Sequence, residues 1–191
     1  MDAKLVLKRL AESSALLEGH FELRSGLHSD RYFQCANVLR YPWMAAELCA
    51  ALAERMKDGL GSALAVDAVI APALGGIIVG HEVARALNVR SIFAEKQDNA
   101  LVLRRFRIER GEKLIVAEDV VTRGGRVQET IDIVEANGGK VVAVCMLVDR
   151  SGGKARFAYP TFSLLEMEPV TWEKAQCPLC AKGLPLVHPG S

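Results

Sequence analysis

Residues 114–130, LIVAEDVVTRGGRVQET, place a strand, a glycine-rich turn and a helix in immediate succession. Four apolar residues come first, the adjacent acids Glu118 and Asp119 follow, and two glycines precede the pattern of an amphipathic helix. A short apolar run of this kind is typical of a strand buried on both faces of a parallel sheet. Such a strand–turn–helix unit belongs in an α/β fold, which binds ligands at the carboxyl ends of its strands.

The turn at residues 122–125 is suited to bind a phosphate. Backbone N–H groups in a glycine-rich turn and the dipole of the following helix both favour an anion there. The run is neither a dinucleotide fingerprint nor a P-loop, because G-x-G-x-x-G and G-x-x-x-x-G-K-[ST] are absent. A phosphate cradle beside two carboxylates suits a phosphorylated sugar. The alternative is a solvated turn that binds nothing, which would leave two acids at the end of an apolar strand without a use.

This run resembles the signature of the type I phosphoribosyltransferases. That signature is a hydrophobic strand, two acids, two apolar residues, a threonine, a small or polar residue and a glycine. In that family the loop holds the 5-phosphate of phosphoribosyl pyrophosphate (PRPP). The resemblance therefore implies that Glu118 and Asp119 meet the ribose hydroxyls.

Strand and helix patterns alternate along the rest of the chain. Buried strands are predicted at 68–71, 91–94, 113–118, 140–148 and 161–165, and helices at 3–18, from Pro42, after Gly76 and at about 125–137. This alternation predicts an α/β fold with a doubly wound, mainly parallel sheet. The resemblance implies that this sheet is of the type I phosphoribosyltransferase kind. Two short strand patterns, at 21–23 and 32–34, flank a turn and predict a small N-terminal hood.

The length of 191 residues suits a single domain over 1–191. We divide it into an N-terminal helix and hood at 1–40, a PRPP-binding core at 41–155, and a C-terminal strand and irregular tail at 156–191. The formal net charge is +1, which indicates neither a nucleic-acid nor a membrane partner. No apolar run is long enough to cross a membrane and no signal peptide is recognisable, while five cysteines without a secretion signal indicate the cytoplasm.

A second candidate anion loop follows the predicted strand at 68–71. It consists of Ala73, Leu74, Gly75 and Gly76. Small residues before a helix let backbone N–H groups approach an anion closely, although the same pattern occurs in a tight turn that binds nothing. Two anion loops at one sheet edge suit PRPP, which carries a 5-phosphate and a 1-pyrophosphate.

The charged segment at 95–111 lies between two predicted central strands and is long for such a connection. A solvated hairpin is one interpretation. The other is a loop whose cations neutralise a departing pyrophosphate, and the candidates are Lys96, Arg104, Arg105 and Arg107.

The stretch FELRSGLHSDRYFQ at 21–34 pairs aromatic with polar residues and could cover a planar base. It resembles the N-terminal signature of the orotate phosphoribosyltransferases, Phe-x-Leu-(Lys/Arg/Ser)-Ser-Gly-x-x-Ser-x-x-Tyr. The PRPP loop and a strand ending at Asp149 and Arg150 agree with that family, and the resemblance covers residues 5–155.

The resemblance implies the following site residues. PRPP contacts fall on Glu118, Asp119, Val120, Val121, Thr122, Arg123, Gly124, Gly125 and Arg126, with Lys96 and Arg24 as additional contacts. Orotate contacts fall on Thr122, Arg150, Phe33 and Gln34. Arg104 and Arg105 occupy the region of a mobile catalytic loop, which in this family reaches into the partner subunit's site. A homodimer with shared sites is thus implied, as is Mg²⁺ bound through PRPP without direct protein ligands.

Three positions depart from the pattern of the family. Many relatives carry Tyr-Lys where this chain has Leu74 and Gly75, so a pyrophosphate-binding lysine is missing. Glu118 stands where aspartate is common, and the loop after Lys96 lacks the usual Lys/His pattern. The arginines of that loop are therefore assigned only by region.

A C-x-x-C pair, Cys177 and Cys180, lies in the tail. A zinc site needs four ligands and no second C-x-x-C exists, while His188 is nearby and the other histidines are scattered. We expect a reduced tail packed on the domain, with metal binding or redox chemistry as the alternatives.

The implied reaction joins orotate and PRPP to give orotidine 5′-monophosphate and pyrophosphate in de novo pyrimidine biosynthesis. A purine-type phosphoribosyltransferase would share the scaffold and the PRPP loop but would not need an arginine for a substrate carboxylate. A non-catalytic PRPP-binding regulator would be expected to show a nucleic-acid surface, of which the net charge gives no sign.

Overall fold

The computed structural model describes residues 1–23, 25–98, 100–168 and 170–189. In chain order the elements are α1 (Ala3–Glu12), β1 (Leu16–Glu22), β2 (His28–Phe33), α2 (Ala36–Leu39), α3 (Pro42–Leu60), β3 (Ala68–Pro72), α4 (Gly75–Leu87), β4 (Arg90–Gln97), β5 (Ala100–Val102), β6 (Lys113–Val121), α5 (Gly125–Ala136), β7 (Lys140–Asp149), β8 (Thr161–Glu166), β9 (Thr171–Trp172) and α6 (Pro178–Ala181).

The central sheet has the strand order β5-β4-β3-β6-β7-β8. Strands β4, β3, β6, β7 and β8 are parallel to their neighbours, and β5 runs antiparallel to β4 at the edge. The carboxyl ends of β3 and β6, which precede the two predicted anion loops, therefore lie side by side. This confirms the predicted doubly wound, mainly parallel α/β sheet.

Strands β3, β6 and β7 supply both faces of the sheet with apolar side chains. On β3, Val69 and Ala71 join the core formed with α3 and α4, whereas Ile70 joins the core formed with α5. Side chains alternate between the faces of a strand, so a continuous apolar run can serve two helical layers. Leu48 and Leu52 of α3 are fully buried, and each contributes about 1.5–3 kcal/mol of transfer free energy.

The first helix is shorter than predicted, because α1 ends at Glu12 and not at residue 18. Asp2 caps its N-terminus by accepting a hydrogen bond from the backbone N–H of Leu5 at 2.8 Å. Ser14 has a φ of 57°, which takes the chain out of the helix. Leu17, which falls inside the helix predicted at 3–18, lies instead in β1, where pairing with β2 overrides the helical pattern.

The hood is a small antiparallel sheet of β1, β2 and β9. The two short predicted strands are confirmed and are longer than the sequence indicated. The predicted irregular tail contains β9, which pairs with β2, and the backbone N–H of Val187 donates to the carbonyl of His20 at 2.8 Å. The tail is thus tied to the N-terminal hood.

The charged segment at 95–111 is in part a hairpin. Strand β4 extends to Gln97, beyond the predicted end at residue 94, and pairs with β5. Leu101 and Ile108 are buried, and Phe106 packs edge-on against Phe93 with ring centroids 5.1 Å apart. The apolar residues of the segment therefore anchor it to the sheet edge.

Candidate active site

The phosphate cradle predicted from the sequence is a cavity at the carboxyl end of β6. The strand ends at Val121, a short turn follows, and α5 begins at Gly125. Gly124 has a φ of 79°, a conformation that favours glycine. The cavity measures about 310 Å³ and is lined by Glu118, Val120, Val121, Thr122, Arg123, Gly124, Gly125, Arg126, Val127 and Glu129. The structure thus brings together eight of the nine loop residues predicted to contact PRPP, and Asp119 adjoins them in the chain.

The two acids are held by backbone hydrogen bonds. Glu118 is buried, and its Oε1 accepts a hydrogen bond from the N–H of Asp119 at 3.0 Å. Oδ1 of Asp119 accepts one from the N–H of Val120 at 2.8 Å. Burial and the neighbouring charge of Asp119 raise the pKa of Glu118. The pair therefore favours a single negative charge when no ligand donates to it.

The second predicted loop packs directly against these acids. A Cβ placed on Gly75 would lie 2.5 Å from Oδ2 of Asp119, and one on Gly76 would lie 2.9 Å from Oε1 of Glu118. Glycine is needed here for close approach, which the sequence alone indicated only as a preference for small residues. The Ala73–Leu74 peptide bond is cis, and Leu74 is 84% exposed. Both candidate anion loops thus meet at one point on the sheet edge.

Arg150 lies beside the cradle, with its backbone N–H donating to the carbonyl of Val121 at 2.8 Å. Its guanidinium carbon is 5.1 Å from the centroid of the Phe33 ring. Burial lowers the pKa of this half-buried side chain, and its Nε has no hydrogen-bond partner among the described residues. Within the described chain Arg150 also forms no ion pair with a carboxylate. A desolvated, unpaired guanidinium is a ready site for an anionic ligand.

Of the two remaining predicted orotate residues, Thr122 lines the cavity and Gln34 follows Phe33 in the chain. Thr122 is exposed in the turn of the cradle, and Gln34 follows β2, where its N–H donates to the carbonyl of Ala15 at 2.8 Å. Sequence reasoning missed Ser151, whose buried hydroxyl has no partner among the described residues and follows Arg150 in the chain. Its only signal was its position two residues after the strand that ends at Asp149.

The cations of the charged segment are exposed on the β4–β5 hairpin. Lys96 is on β4 opposite Leu101, and Arg105 pairs with Glu95 at 3.1 Å. Arg104 is also exposed. Within the described part of the chain, no side-chain hydrogen bond or ion pair connects these residues to the cradle. Arg24, predicted to contact PRPP, lies outside the described residues.

Cys177 and Cys180 lie against His20 and His28 of the hood. The sequence did not link these residues, because more than a hundred positions separate the histidines from the cysteines. His188, the histidine nearest to the cysteines in sequence, instead faces Glu22 at 3.4 Å.

Comparison with known proteins agrees with this geometry. The sequence model of the phosphoribosyl transferase domain matches residues 37–181. The orotate phosphoribosyltransferase of Caldicellulosiruptor bescii is 50% identical over 192 residues, which cover 100% of this chain and 98% of the relative.

The chain belongs to the orotate phosphoribosyltransferase family. The relative from Heliobacterium modesticaldum is 49% identical and is covered to 99%, again over 100% of this chain. Among solved structures, the orotate phosphoribosyltransferase of Aeropyrum pernix has a TM-score of 0.65 at 25% identity, covering 84% of this chain and 93% of that one. An adenine phosphoribosyltransferase with a TM-score of 0.68 at 17% identity covers 82% of this chain and 99% of its own, and it shows the shared fold. The family predicted from the motifs is thus confirmed.

Proposed function

We propose that this chain transfers the 5-phosphoribosyl group from PRPP to N1 of orotate, giving orotidine 5′-monophosphate and pyrophosphate in de novo pyrimidine biosynthesis. The observation that carries the orotate assignment is the half-buried guanidinium of Arg150, which has no carboxylate partner in the described chain and lies beside the phosphate cradle. Orotate supplies a carboxylate, which a guanidinium can bind through two parallel hydrogen bonds. The full-length identity to orotate phosphoribosyltransferases supports the same reaction.

The chemistry needs positioning more than a strong protein base. Orotate is already an anion at neutral pH, so its N1 can attack the anomeric carbon of PRPP as the bond to pyrophosphate breaks. The transition state carries oxocarbenium character, as in glycoside hydrolysis. Holding both substrates in line and stabilising the departing charge are then the main contributions of the protein.

The residues of the cradle divide this work. The N–H groups of the turn at 122–125 and the start of α5 bind the 5-phosphate. Glu118 and Asp119 accept hydrogen bonds from the ribose hydroxyls and fix the sugar ring. The loop at 73–76 binds the pyrophosphate, because its glycines place its backbone next to the two acids that hold the ribose. Arg150, stacked on Phe33, orients the orotate ring, and Thr122 and Gln34 contact its edge.

Mg²⁺ is the proposed cofactor. Glu118 and Asp119 are two carboxylates, too few to complete an octahedral shell by themselves. The oxygens of PRPP would supply most ligands, and the acids would lie next to the ion. When bound, Mg²⁺ would neutralise part of the charge on the leaving pyrophosphate.

We propose a cytoplasmic homodimer with shared active sites. Leu74 and Ile78 are exposed apolar residues one helical turn apart at the start of α4, beside the pyrophosphate loop, and a partner subunit would cover them. Their position supports an interface next to the site, to which Arg104 and Arg105 of the partner would contribute. None of the five cysteines forms a disulfide in the described structure, which supports the proposal of a reducing compartment. In the described chain, no helix combines the length and apolarity needed to cross a membrane.

The direct test is an assay of orotate consumption with PRPP and Mg²⁺, with pyrophosphate release measured in the same samples. We expect equal molar amounts of orotate lost and pyrophosphate formed. Hypoxanthine and adenine serve as competing substrates, and turnover of either in preference to orotate would indicate a purine enzyme. Binding of PRPP with no pyrophosphate release for any base would indicate a regulator.

A further inference from the structure

Four potential metal ligands converge where the tail meets the hood. They form a cluster, which we call the His/Cys cluster, of His20, His28, Cys177 and Cys180. The ligand atoms of all four residues lie within 4.8 Å of one another. No other group of three or more such side chains is brought together in the part of the chain that the structure describes. The proposed transferase chemistry makes no use of this cluster.

Three of the nitrogen–sulfur distances in the cluster are close to those of a tetrahedral metal site. With Zn–N of about 2.0–2.1 Å and Zn–S of about 2.3 Å, tetrahedral geometry separates nitrogen from sulfur by about 3.6 Å and the two nitrogens by about 3.4 Å. Cys177 Sγ and Cys180 Sγ lie 3.5 and 3.7 Å from His20 Nε2, and Cys180 Sγ lies 3.3 Å from His28 Nδ1. The two nitrogens are 2.8 Å apart, so the rings need to separate by only about 0.6 Å to admit the ion.

Hydrogen bonding within the protein does not account for this convergence. Nδ1 of His20 lies 3.0 Å from the carbonyl of Leu184, and an imidazole nitrogen can face a carbonyl only as a donor. In neutral His20 the proton is therefore on Nδ1, and Nε2 carries a single lone pair. Three donor or acceptor atoms face that lone pair, although it can accept only one good hydrogen bond. A shared cation satisfies all four atoms at once.

The contact with Leu184 also has the form of an outer-shell interaction in metal sites. Histidine ligands usually donate their second ring N–H to a carbonyl or carboxylate, which fixes the tautomer and the ring orientation. The tail forms a tight turn around the cysteines, in which the N–H of Ala181 donates to the carbonyl of Cys177 at 3.2 Å and the N–H of Gly183 to that of Cys180 at 2.9 Å. The cysteines are thus held in place by backbone geometry on either side.

The chemistry of the donors selects zinc. Two thiolates and two neutral imidazoles give tetrahedral zinc a complete shell, and a closed shell of this type is typical of structural sites. The complex of one Zn²⁺ with two thiolates has no net charge, which suits a cluster in which His20, His28 and Cys177 are buried. Binding releases the two thiol protons to solvent.

We propose that the His/Cys cluster is a structural Zn²⁺ site that fastens the C-terminal tail to the N-terminal hood. His20 is on β1 and His28 begins β2, so the ion holds both strands of the β1–β2 hairpin. The turn of this hairpin contains Ser25 and Gly26, which belong to the N-terminal signature at 21–34. Phe33, which stacks on Arg150, ends the same strand as His28. The ion therefore fixes the strand that covers the proposed orotate site, without touching a substrate.

The test is the metal content of full-length protein purified from zinc-supplemented culture without a metal-affinity tag. We expect one zinc per chain by mass spectrometry of the metals. In the variant carrying both Cys177→Ser and Cys180→Ser, the zinc content per chain should fall more than about tenfold. The matched controls are His188→Gln, a tail histidine outside the cluster, and Cys49→Ala, a cysteine buried elsewhere; both should retain one zinc.

A second measurement does not depend on how well the variants fold. Wild-type protein stripped by a chelator is titrated with Co²⁺, and we expect the intense visible absorption of tetrahedral thiolate-bound cobalt, saturating at one equivalent and displaced by Zn²⁺. Wild-type protein that contains no zinc and binds neither ion after reduction would overturn the proposal. So would a Cys177–Cys180 disulfide in the freshly purified protein, or full zinc occupancy in the double serine variant. None of these measurements requires transferase activity.

Discussion

Replacing Arg150 by methionine removes the guanidinium and keeps an unbranched apolar side chain in its place. In the described structure the guanidinium has no ion pair, its Nε is unpartnered, and burial lowers its pKa. Burial of Arg150 therefore costs the folded protein desolvation free energy, which the proposed carboxylate ligand would offset. We expect Arg150→Met to leave stability unchanged or to increase it by about 1 kcal/mol, a rise in Tm of roughly 2–4 °C for a chain of this size.

The loss in orotate binding should be large by comparison. A hydrogen bond between charged groups contributes about 1.5–3 kcal/mol, which corresponds to a roughly 10- to 150-fold weaker interaction with orotate. PRPP binding should change by less than about threefold, because the cradle at 122–126 is intact. Calorimetry with each ligand, steady-state KM values and thermal unfolding measure all three effects on one preparation.

The reciprocal control is Arg126→Met. Arg126 lines the cavity at the end of β6, and its one ion pair among the described residues is with the exposed Glu129 at 3.2 Å. Its loss should therefore weaken PRPP binding more than orotate binding. A fall in Tm together with equal losses for both ligands in Arg150→Met would refute the reasoning. Arg150 would then support the site as a whole and would not bind the carboxylate.

Four further outcomes are expected. Asp119→Asn should weaken the binding free energy of PRPP by about 1.5–3 kcal/mol with little change in Tm. Unchanged steady-state kinetics for PRPP would show that Asp119 does not contact the sugar. Gly75→Ala should cost about 1–3 kcal/mol in urea unfolding and impair PRPP use, since its Cβ would lie 2.5 Å from Asp119 Oδ2; wild-type behaviour would contradict the close packing. Because the folded-state pKa of Glu118 is raised, its contribution to stability is present below the ordinary carboxyl pKa and is lost as pH rises toward the raised value. The Tm of ligand-free Glu118→Gln should therefore depend less on pH than the Tm of wild type. An identical pH dependence in the two proteins would contradict this. Co-refolding Asp119→Asn with the double variant Arg104→Ala and Arg105→Ala should restore about a quarter of wild-type activity, because half the dimers are mixed and each has one sound site in two; no recovery, with mixed dimers seen by native mass spectrometry, would reject the shared site.

The sequence by itself determined the central sheet and the strand–turn–helix unit that lines the cavity. In the run at 114–117, successive apolar residues serve opposite faces of one strand, and in the structure Ile115 and Leu114 enter the two different cores. The conformation of the turn, the start of α5 and the position of the adjacent acids are all set by residues that are neighbours in the chain. Local spacing is sufficient where the physical cause is local, and the cradle at 122–125 is such a case.

Local patterns failed where a distant pairing competed with them. The apolar period through Leu17 continues past the end of α1, but residues 16–22 pair with β2, with one irregularity between Glu18 and Phe21. The predicted helix therefore ends at Glu12. The sequence contains no local signal strong enough to rank these two outcomes, because the partner strand begins at His28.

Tertiary structure alone decided which side chains share a site. The glycine requirement at Gly75 depends on Asp119, which arrives from the neighbouring strand. The unpaired state of Arg150 becomes visible only when every element around it is in place. Cys180 lies 152 positions from His28 in the chain yet 3.3 Å from it in space, because β1, β2 and the tail fold onto one another. Spacing along a sequence encodes neighbours within one element, whereas a four-ligand site assembled from two chain ends depends on the packing of the whole fold.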